Sequence, residues 1–286
     1  MLLPNVTATS TSDSARLWSS SLQNLRSAWP DQWPGLPVVV SACQLQIWGE
    51  HLPSAGISAH MLKAADALAA HMESLSQSLS QEPHYHNRLH TADALVSLTV
   101  MLCELKQQQE VVPDEWAAAL LLAVTSHDVL HPGGANSYIQ EFESQSVKEL
   151  KHWLERYEIN AHWRRCIEQL ILNTDPSLVP ANHDKVIGTE FTFNLDWATV
   201  LVNEADILAS ASAEFGQDLG NQLAQEWQWK DHPLHNIVGT IGGRVNFLKS
   251  LRFSSPAALA LNMPLIVAEQ LQNLTAGIRS ETKRGW

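Results

Sequence analysis

Apolar positions recur three and four residues apart along most of the chain, the spacing of a helix face rather than of a strand. ISAHMLKAADALAAHMESLSQSLS (57–80) and LHTADALVSLTVMLCELK (89–106) carry this pattern and are rich in good helix formers. Asp13 is placed to cap a first helix running to about Trp29, and PDQWPG (30–35) then breaks it. Pro113 suits the first turn of a helix over 113–130, apolar nearly all round and therefore expected at the centre of the molecule. Further helices are expected over 144–157 and 161–173, from near Trp197 past Asp206, over 212–229, about 240–252 and 255–279. Residues 176–195, with Pro, Gly, Asn and Asp, read as a loop, and HPLHN (232–236) as an interruption. LPVVVSACQLQIW (36–48) fits a strand and a helix equally well. The pattern predicts an all-α chain: a helical extension or cap over 1–55 and a compact multi-helix domain over 56–286.

Composition narrows the partners. The 286 residues are 45% apolar, an ordinary globular value, and their net charge of −12 disfavours nucleic-acid polymers and anionic membranes, which reward positive charge. An anionic small molecule stays open, because a bound metal can reverse the local field. Cys43, Cys103 and Cys166 are few, odd in number and widely spaced, which suits a reducing compartment without disulfides. The N-terminal MLLPNVTATSTSDS lacks the basic and apolar regions of a signal peptide, and WAAALLLAV (116–124) is too short to span a bilayer. A cytoplasmic protein is expected; a homodimer is compatible with the sequence.

Histidine is unevenly placed. Of 13, five fall in two short windows, HYHNRLH (84–90) and HDVLH (127–131). His86 and His90 are four apart, as are His127 and His131, so each pair would share a face if it lay on a helix. Asp128 sits about 100° from His127 around a helix, so both can reach one metal only at a helix end or between helices. That suits a carboxylate shared by two cations. Imidazole favours zinc and related metals, carboxylate and water favour magnesium or manganese, so the mixture fits one tight and one looser site. Asp206, in the apolar run LVNEADILASA, should be buried and so needs a cation or a hydrogen-bond partner, while Glu204 two residues away should point elsewhere.

At these residues the chain resembles the class I cyclic-nucleotide phosphodiesterases of the HD metal-phosphohydrolase superfamily. YHNRLHTADAL (85–95) is similar to the family's YHNxxHAxDV, and HDVLHPGGANSY fits its HD signature at His127, Asp128, Val129, His131, Gly133, Asn136 and Tyr138. Softer matches are SVKELKHW (146–153), LILNTD (170–175) and EADIL (204–208), and the likeness spans roughly 84–250. The resemblance implies an all-helical fold with its site between helices. It implies that His90, His127, Asp128 and Asp206 hold the tight metal, usually zinc, with iron or manganese compatible, and that Asp128 also reaches a second cation, magnesium or manganese. It implies that His86 is the general acid, that Glu226 orients it, that His131 and Glu149 orient water on the second cation, that Asp175 is a further supporting acid, and that Asn87 and Asp93 brace the motif helix. Tyr85, Arg244 and Phe247 fall where it places substrate contacts.

The expected reaction is hydrolysis of a 3′,5′-cyclic nucleotide, cAMP or cGMP or both, to the 5′-nucleotide by a hydroxide activated between two metals. The chemistry suits the residues: cations offset the charge that resists attack on a phosphodiester, and a protonated histidine supplies the proton a ribose oxygen needs to leave. The sequence departs from the family at Leu130, where relatives often carry an acid, at Ala209, where they carry Asn, and at Arg244, which takes the position of the purine-binding Gln three residues before Phe247; Asn246 supplies an amide in an alignment shifted by two residues. Two other readings stand beside the first: an HD phosphohydrolase for another nucleotide or phosphoester, and a nucleotide-binding regulatory protein that retains the fold. His84, His183, His232 and His235 read as structural or solvated.

Overall fold

A computed structural model describes residues 11–78 and 81–284. These residues form fourteen α-helices and a short 3₁₀ turn, with no strand among them. The all-α expectation holds. In order the helices are α1 (Thr11–Ala28), α2 (Leu36–Trp48), α3 (Gly56–Ser78), α4 (Arg88–Gln107), α5 (Asp114–Ser126), α6 (Glu141–Arg156), α7 (Ala161–Leu172), α8 (Val179–Val186), α9 (Leu195–Ala211), α10 (Gly216–Trp229), α11 (His235–Val238), α12 (Ile241–Ser250), α13 (Pro256–Ala260) and α14 (Met263–Arg284). Among the described residues, no helix is long and apolar enough to cross a membrane.

Helices α4 and α5 form the centre. Helix α4 packs on α1, α2, α5 and α9, while α5 packs on α3, α7 and α9 as well. Every residue of α5 from Ala117 to Ser126 is buried, as its apolar circumference requires. The hydroxyls of Thr99, Thr125 and Ser126 stay satisfied there by donating to carbonyls four residues back. Each fully buried leucine, such as Leu98 and Leu121, contributes about 2 kcal/mol. Trp18, Leu22 and Leu25 of α1 and Val39, Val40 and Cys43 of α2 belong to the same core cluster as α4 and α5. The ambiguous stretch 36–48 is helical: Pro37 stands in its first turn, and no strand among the described residues offers a partner.

Several boundaries differ from the sequence pattern. Asp13 lies in the first turn of α1 rather than ahead of it. Helix α5 stops at Ser126, so His127 is its cap, and Leu130 takes a left-handed φ of 57°. The loop expected over 176–195 contains α8, whose Pro180 occupies a permitted first-turn position. The single helix expected over 255–279 is divided after Ala260 by Leu261 and Asn262, the latter at φ 57°, into α13 and α14.

Candidate metal centre and catalytic site

Three helices bring two imidazoles and two carboxylates together, and His90, His127 and Asp206 form a compact set able to hold one ion. His90 comes from the first turn of α4, His127 and Asp128 from the C-terminal end of α5, and Asp206 from α9. His90 Nε2 lies 2.9 Å from Asp206 Oδ1, 3.3 Å from Asp128 Oδ2 and 3.4 Å from His127 Nε2. His127 Nε2 lies 3.3 Å from Asp128 Oδ2 and 3.4 Å from Asp206 Oδ1. Donors bound about 2.1 Å from one cation stand about 3.0–3.4 Å apart at octahedral or tetrahedral angles, so His90, His127 and Asp206 have the right spacing for a transition metal, with Asp128 beside both imidazoles. His127 Nδ1 is 2.8 Å from the Val124 carbonyl, to which it donates, which leaves Nε2 as the ligand nitrogen. Burial opposes charge on His90, but Asp128 and Asp206 hold its pKa up at about 9. Burial likewise opposes charge on Asp206, yet the His127 and His90 rings keep it well below the carboxylate range. Two imidazoles and two carboxylates, nearly dry and so close together, fit a bound cation.

Beside this centre stands His86, its ring centre 5.8 Å from that of His90. It does not share a helix with His90. Asn87 is the N-cap of α4: its Oδ1 accepts from the N–H of Leu89 at 2.9 Å and of His90 at 3.2 Å, while its Nδ2 donates to the carbonyls of Pro83 and His84. His86 therefore lies in the bend before the helix, and His131 likewise lies beyond the end of α5. His86 Nδ1 meets Glu226 Oε1 of α10 at 2.6 Å. The same buried carboxylate accepts from the N–H of Tyr85 at 2.8 Å, of His86 at 2.9 Å and of Gly134 at 3.0 Å. Burial would raise the Glu226 pKa, but the His86 ring and these N–H groups bring it down to about 2.

The Pro-Gly-Gly turn serves this carboxylate. Gly133 and Gly134 have φ of 77° and 101°, and a Cβ on Gly133 would stand 3.2 Å from Glu226 Cγ. Glycine alone allows both the backbone shape and the close approach. His131 stacks on His86 at 3.9 Å and accepts from the Gly133 N–H at Nδ1. Burial, with the nearby His86 charge, pushes the His131 pKa down to about 3.

Not every expected site residue joins the cluster. Glu149 is exposed on α6 and makes no pair with His131. The buried acid of that helix is Glu143, nearly two turns earlier. Asn136 donates to Glu143 at 2.9 Å and to Asp175 at 3.2 Å, and its Oδ1 accepts from the Phe142 N–H. Asp175 also accepts from Ser177 and from the Gln140 N–H, and these bonds hold its pKa below the usual value against burial. Burial, reinforced by the charges of Asp175 and Asp128, raises that of Glu143. Glu143 was legible only as an acid seven residues after Asn136, on the side of α6 that carries Ser146 and Leu150 into the core.

Arg244 is turned into the fold. It is buried, and its guanidinium donates to the carbonyls of Ser210 and Ser212 and to Gln270 of α14. Gly216 makes room for it, since a Cβ there would collide with the guanidinium. Its donors are thus committed to the α9 terminus rather than offered to a substrate. Phe247, half-buried on α12, lies under the same cation, 5.6 Å from its carbon. Tyr85 bonds Ser210 Oγ through its hydroxyl at 2.8 Å and lays its ring 4.7 Å from that of His90. Asp93 pairs with Arg26 of α1, and burial still lifts its pKa to about 6. Glu204 faces away, accepting from the N–H groups of Ser254 and Ser255.

The family described as 3′5′-cyclic nucleotide phosphodiesterase matches residues 85–161, the stretch that supplies His86, His90, His127, Asp128, His131 and Glu143. Over that stretch the chain is similar to the 3′5′-cyclic nucleotide phosphodiesterases. The human high affinity cAMP-specific and IBMX-insensitive 3′,5′-cyclic phosphodiesterase 8A is 27% identical to it over 148 residues, covering 48% of this chain. The chain spans 18% of the length of that relative. The matched stretch ends at the first residue of α7, so Asp206 and Glu226 lie outside it and reach the site through α9 and α10.

Proposed function

We propose that this protein hydrolyses a 3′,5′-cyclic nucleotide, cAMP or cGMP or both, to the 5′-nucleotide, with His86 as general acid. The observation that carries this reading is that Asp128 and Asp206 each lie within 3.4 Å of both imidazoles, His90 and His127, with the His86–Glu226 pair alongside. His90, His127, Asp128 and Asp206 would hold a tight cation, zinc in this reading. Asp128, with Glu143 and Asp175 behind it, would hold magnesium or manganese. When bound, such cations offset phosphodiester charge and make water a nucleophile near neutral pH.

The chain's own part is proton delivery. Water adds to phosphorus, the P–O3′ bond breaks, and the departing O3′ needs a proton because a ribose alkoxide leaves poorly. His86 Nδ1 is engaged by Glu226, so Nε2 is the nitrogen that can give the proton. Glu226 stabilises the protonated ring and fixes its tautomer, the role of an acid behind a catalytic histidine. The similarity to a cAMP-specific enzyme favours cAMP as the first substrate to assay.

The test is turnover of cAMP, cGMP, a 2′,3′-cyclic nucleotide and bis(p-nitrophenyl) phosphate with Mg²⁺ or Mn²⁺, together with elemental analysis of protein purified without chelator. Hydrolysis of a 3′,5′-cyclic nucleotide that Asp128→Ala abolishes is the expected result. Protein that holds its metal yet turns over none of the four refutes the reading.

A further inference from the structure

Arg88 is the first residue of α4, directly after the cap Asn87 and two residues from His86. Its side chain is only 13% exposed and holds three segments at once. Nε and Nη2 fork onto Glu82, at 2.9 and 2.7 Å, while Nη1 meets Glu73 of α3. The guanidinium carbon lies 5.4 Å from the Trp29 ring. The other oxygen of Glu73 accepts from the Leu36 N–H at the start of α2 and from Trp33 Nε1. One cation therefore fastens both ends of the segment 82–88 to each other and to α3. Asn87 closes the same segment from inside, through the Pro83 and His84 carbonyls. Glu226 holds its middle, at Tyr85 and His86. Glu82, Pro83, His86, Asn87 and Arg88 line one open cleft together with Asp128 and His131.

We propose that Arg88 is a positioning residue for His86: its fork on Glu82 sets the bend that presents the imidazole to the leaving oxygen. This rests on the hydrolase reading above. Bidentate pairing fixes direction as well as distance, which a lysine cannot reproduce. Without the cation, Glu73 and Glu82 would face each other as like charges across a void, and the bend would open. The metal ligands His127, Asp128 and Asp206 lie on other elements, and His90 is held within α4 and by the Asn87 cap, so all four should stay in place.

The experiment compares two substrates that differ in their need for a proton. A 3′,5′-cyclic nucleotide releases an alkoxide, whereas bis(p-nitrophenyl) phosphate releases a phenolate that leaves unaided. For Arg88→Ala, kcat on the cyclic nucleotide should fall about 10²-fold, the cost of a misplaced general acid. Turnover of the aryl ester and metal content should change little, and added guanidinium should restore part of the lost rate. Glu82→Gln keeps the Glu73 and Trp29 contacts and should show the same selective loss, so it tests the idea even if Arg88→Ala folds poorly. Equal losses on both esters in Glu82→Gln, or no loss on either, overturn the positioning role. Wild-type protein that hydrolyses neither ester overturns the hydrolase reading and this inference with it.

Discussion

His86 Nδ1 stands 2.6 Å from Glu226 Oε1, a contact between residues 140 apart in the chain. The carboxylate also gathers three backbone N–H groups from the two motif loops, at Tyr85, His86 and Gly134. It is therefore the point at which both loops and α10 are tied together. Glu226→Gln keeps the size but loses the charge that supports a protonated His86, and its NH₂ would oppose the N–H groups it faces. We expect kcat on a cyclic nucleotide to fall about 10²-fold or more with metal content unchanged. Steady-state kinetics with elemental analysis check this; a variant as fast as wild type would remove Glu226 from the mechanism.

Gly133→Ala should damage the same pair from the other side. The residue must hold φ at 77°, and its new methyl would press on Glu226 Cγ at 3.2 Å. A loss of about 1–3 kcal/mol of stability is expected from the backbone conformation alone. Displacement of Glu226 should lower kcat as well. Denaturant unfolding and kinetics on one preparation check both parts; wild-type values for both would show that the turn has slack.

Most of the helices, and the centre of the site, could be read from the sequence. The 3.6-residue period marked α3, α4 and α5, and the paired His windows marked His90, His127 and Asp128, because these features are local. What failed was set by tertiary context. The apolar run continues through Val129 and Leu130, yet α5 ends at Ser126, and the chain goes on in tight turns, with Val129 N–H on the Ser126 carbonyl, His131 N–H on that of Asp128 and Leu130 at a left-handed φ. Helix α8 was hidden by Pro180 and Asn182, although Asn182 serves the fold by bonding Asn203 of α9. Glu149 occupied the expected place in the SVKELKHW string, but the rotation of α6 exposes it and buries Glu143. Arg244 read as a substrate contact because only the folded chain brings the Ser210 and Ser212 carbonyls to its guanidinium.

Removal of metal should destabilise the protein through the four-residue centre. A cation that binds only the folded chain stabilises it by about 4 kcal/mol at 1,000 times its dissociation constant. For a chain of this size that corresponds to roughly 10 °C in Tm. Wild-type protein dialysed against chelator should melt lower by this order and recover with Zn²⁺. Asp206→Asn removes the carboxylate 2.9 Å from His90 and should melt at one temperature with or without chelator. A chelator effect that persists unchanged in Asp206→Asn would place the metal elsewhere.

Ser254 links two buried titratable groups far from that centre in role: its Oγ lies 2.8 Å from His183 Nδ1, and its N–H donates to Glu204 Oε1 at 2.5 Å. Burial, with Arg252 nearby, pushes the His183 pKa down to about 4. Burial raises that of Glu204 to about 7, despite the Ser254 and Ser255 bonds. Between pH 4 and 6.5 the unfolded chain protonates His183 and the folded chain does not, so this group's contribution to stability grows as pH rises. Between pH 4.5 and 7 the folded chain keeps a proton on Glu204 that the unfolded chain has lost, so that contribution shrinks as pH rises. The two slopes oppose each other from pH 4.5 to 6.5 and should nearly cancel in the wild type. His183→Gln should therefore gain stability relative to wild type as pH drops from 6.5 to 4, by about 3 kcal/mol in all. Glu204→Gln should gain relative to wild type in the opposite direction, as pH rises from 4.5 to 7. Urea unfolding at half-unit intervals from pH 4 to 7.5 checks both, and variant curves parallel to the wild-type curve would show that neither group titrates differently on folding.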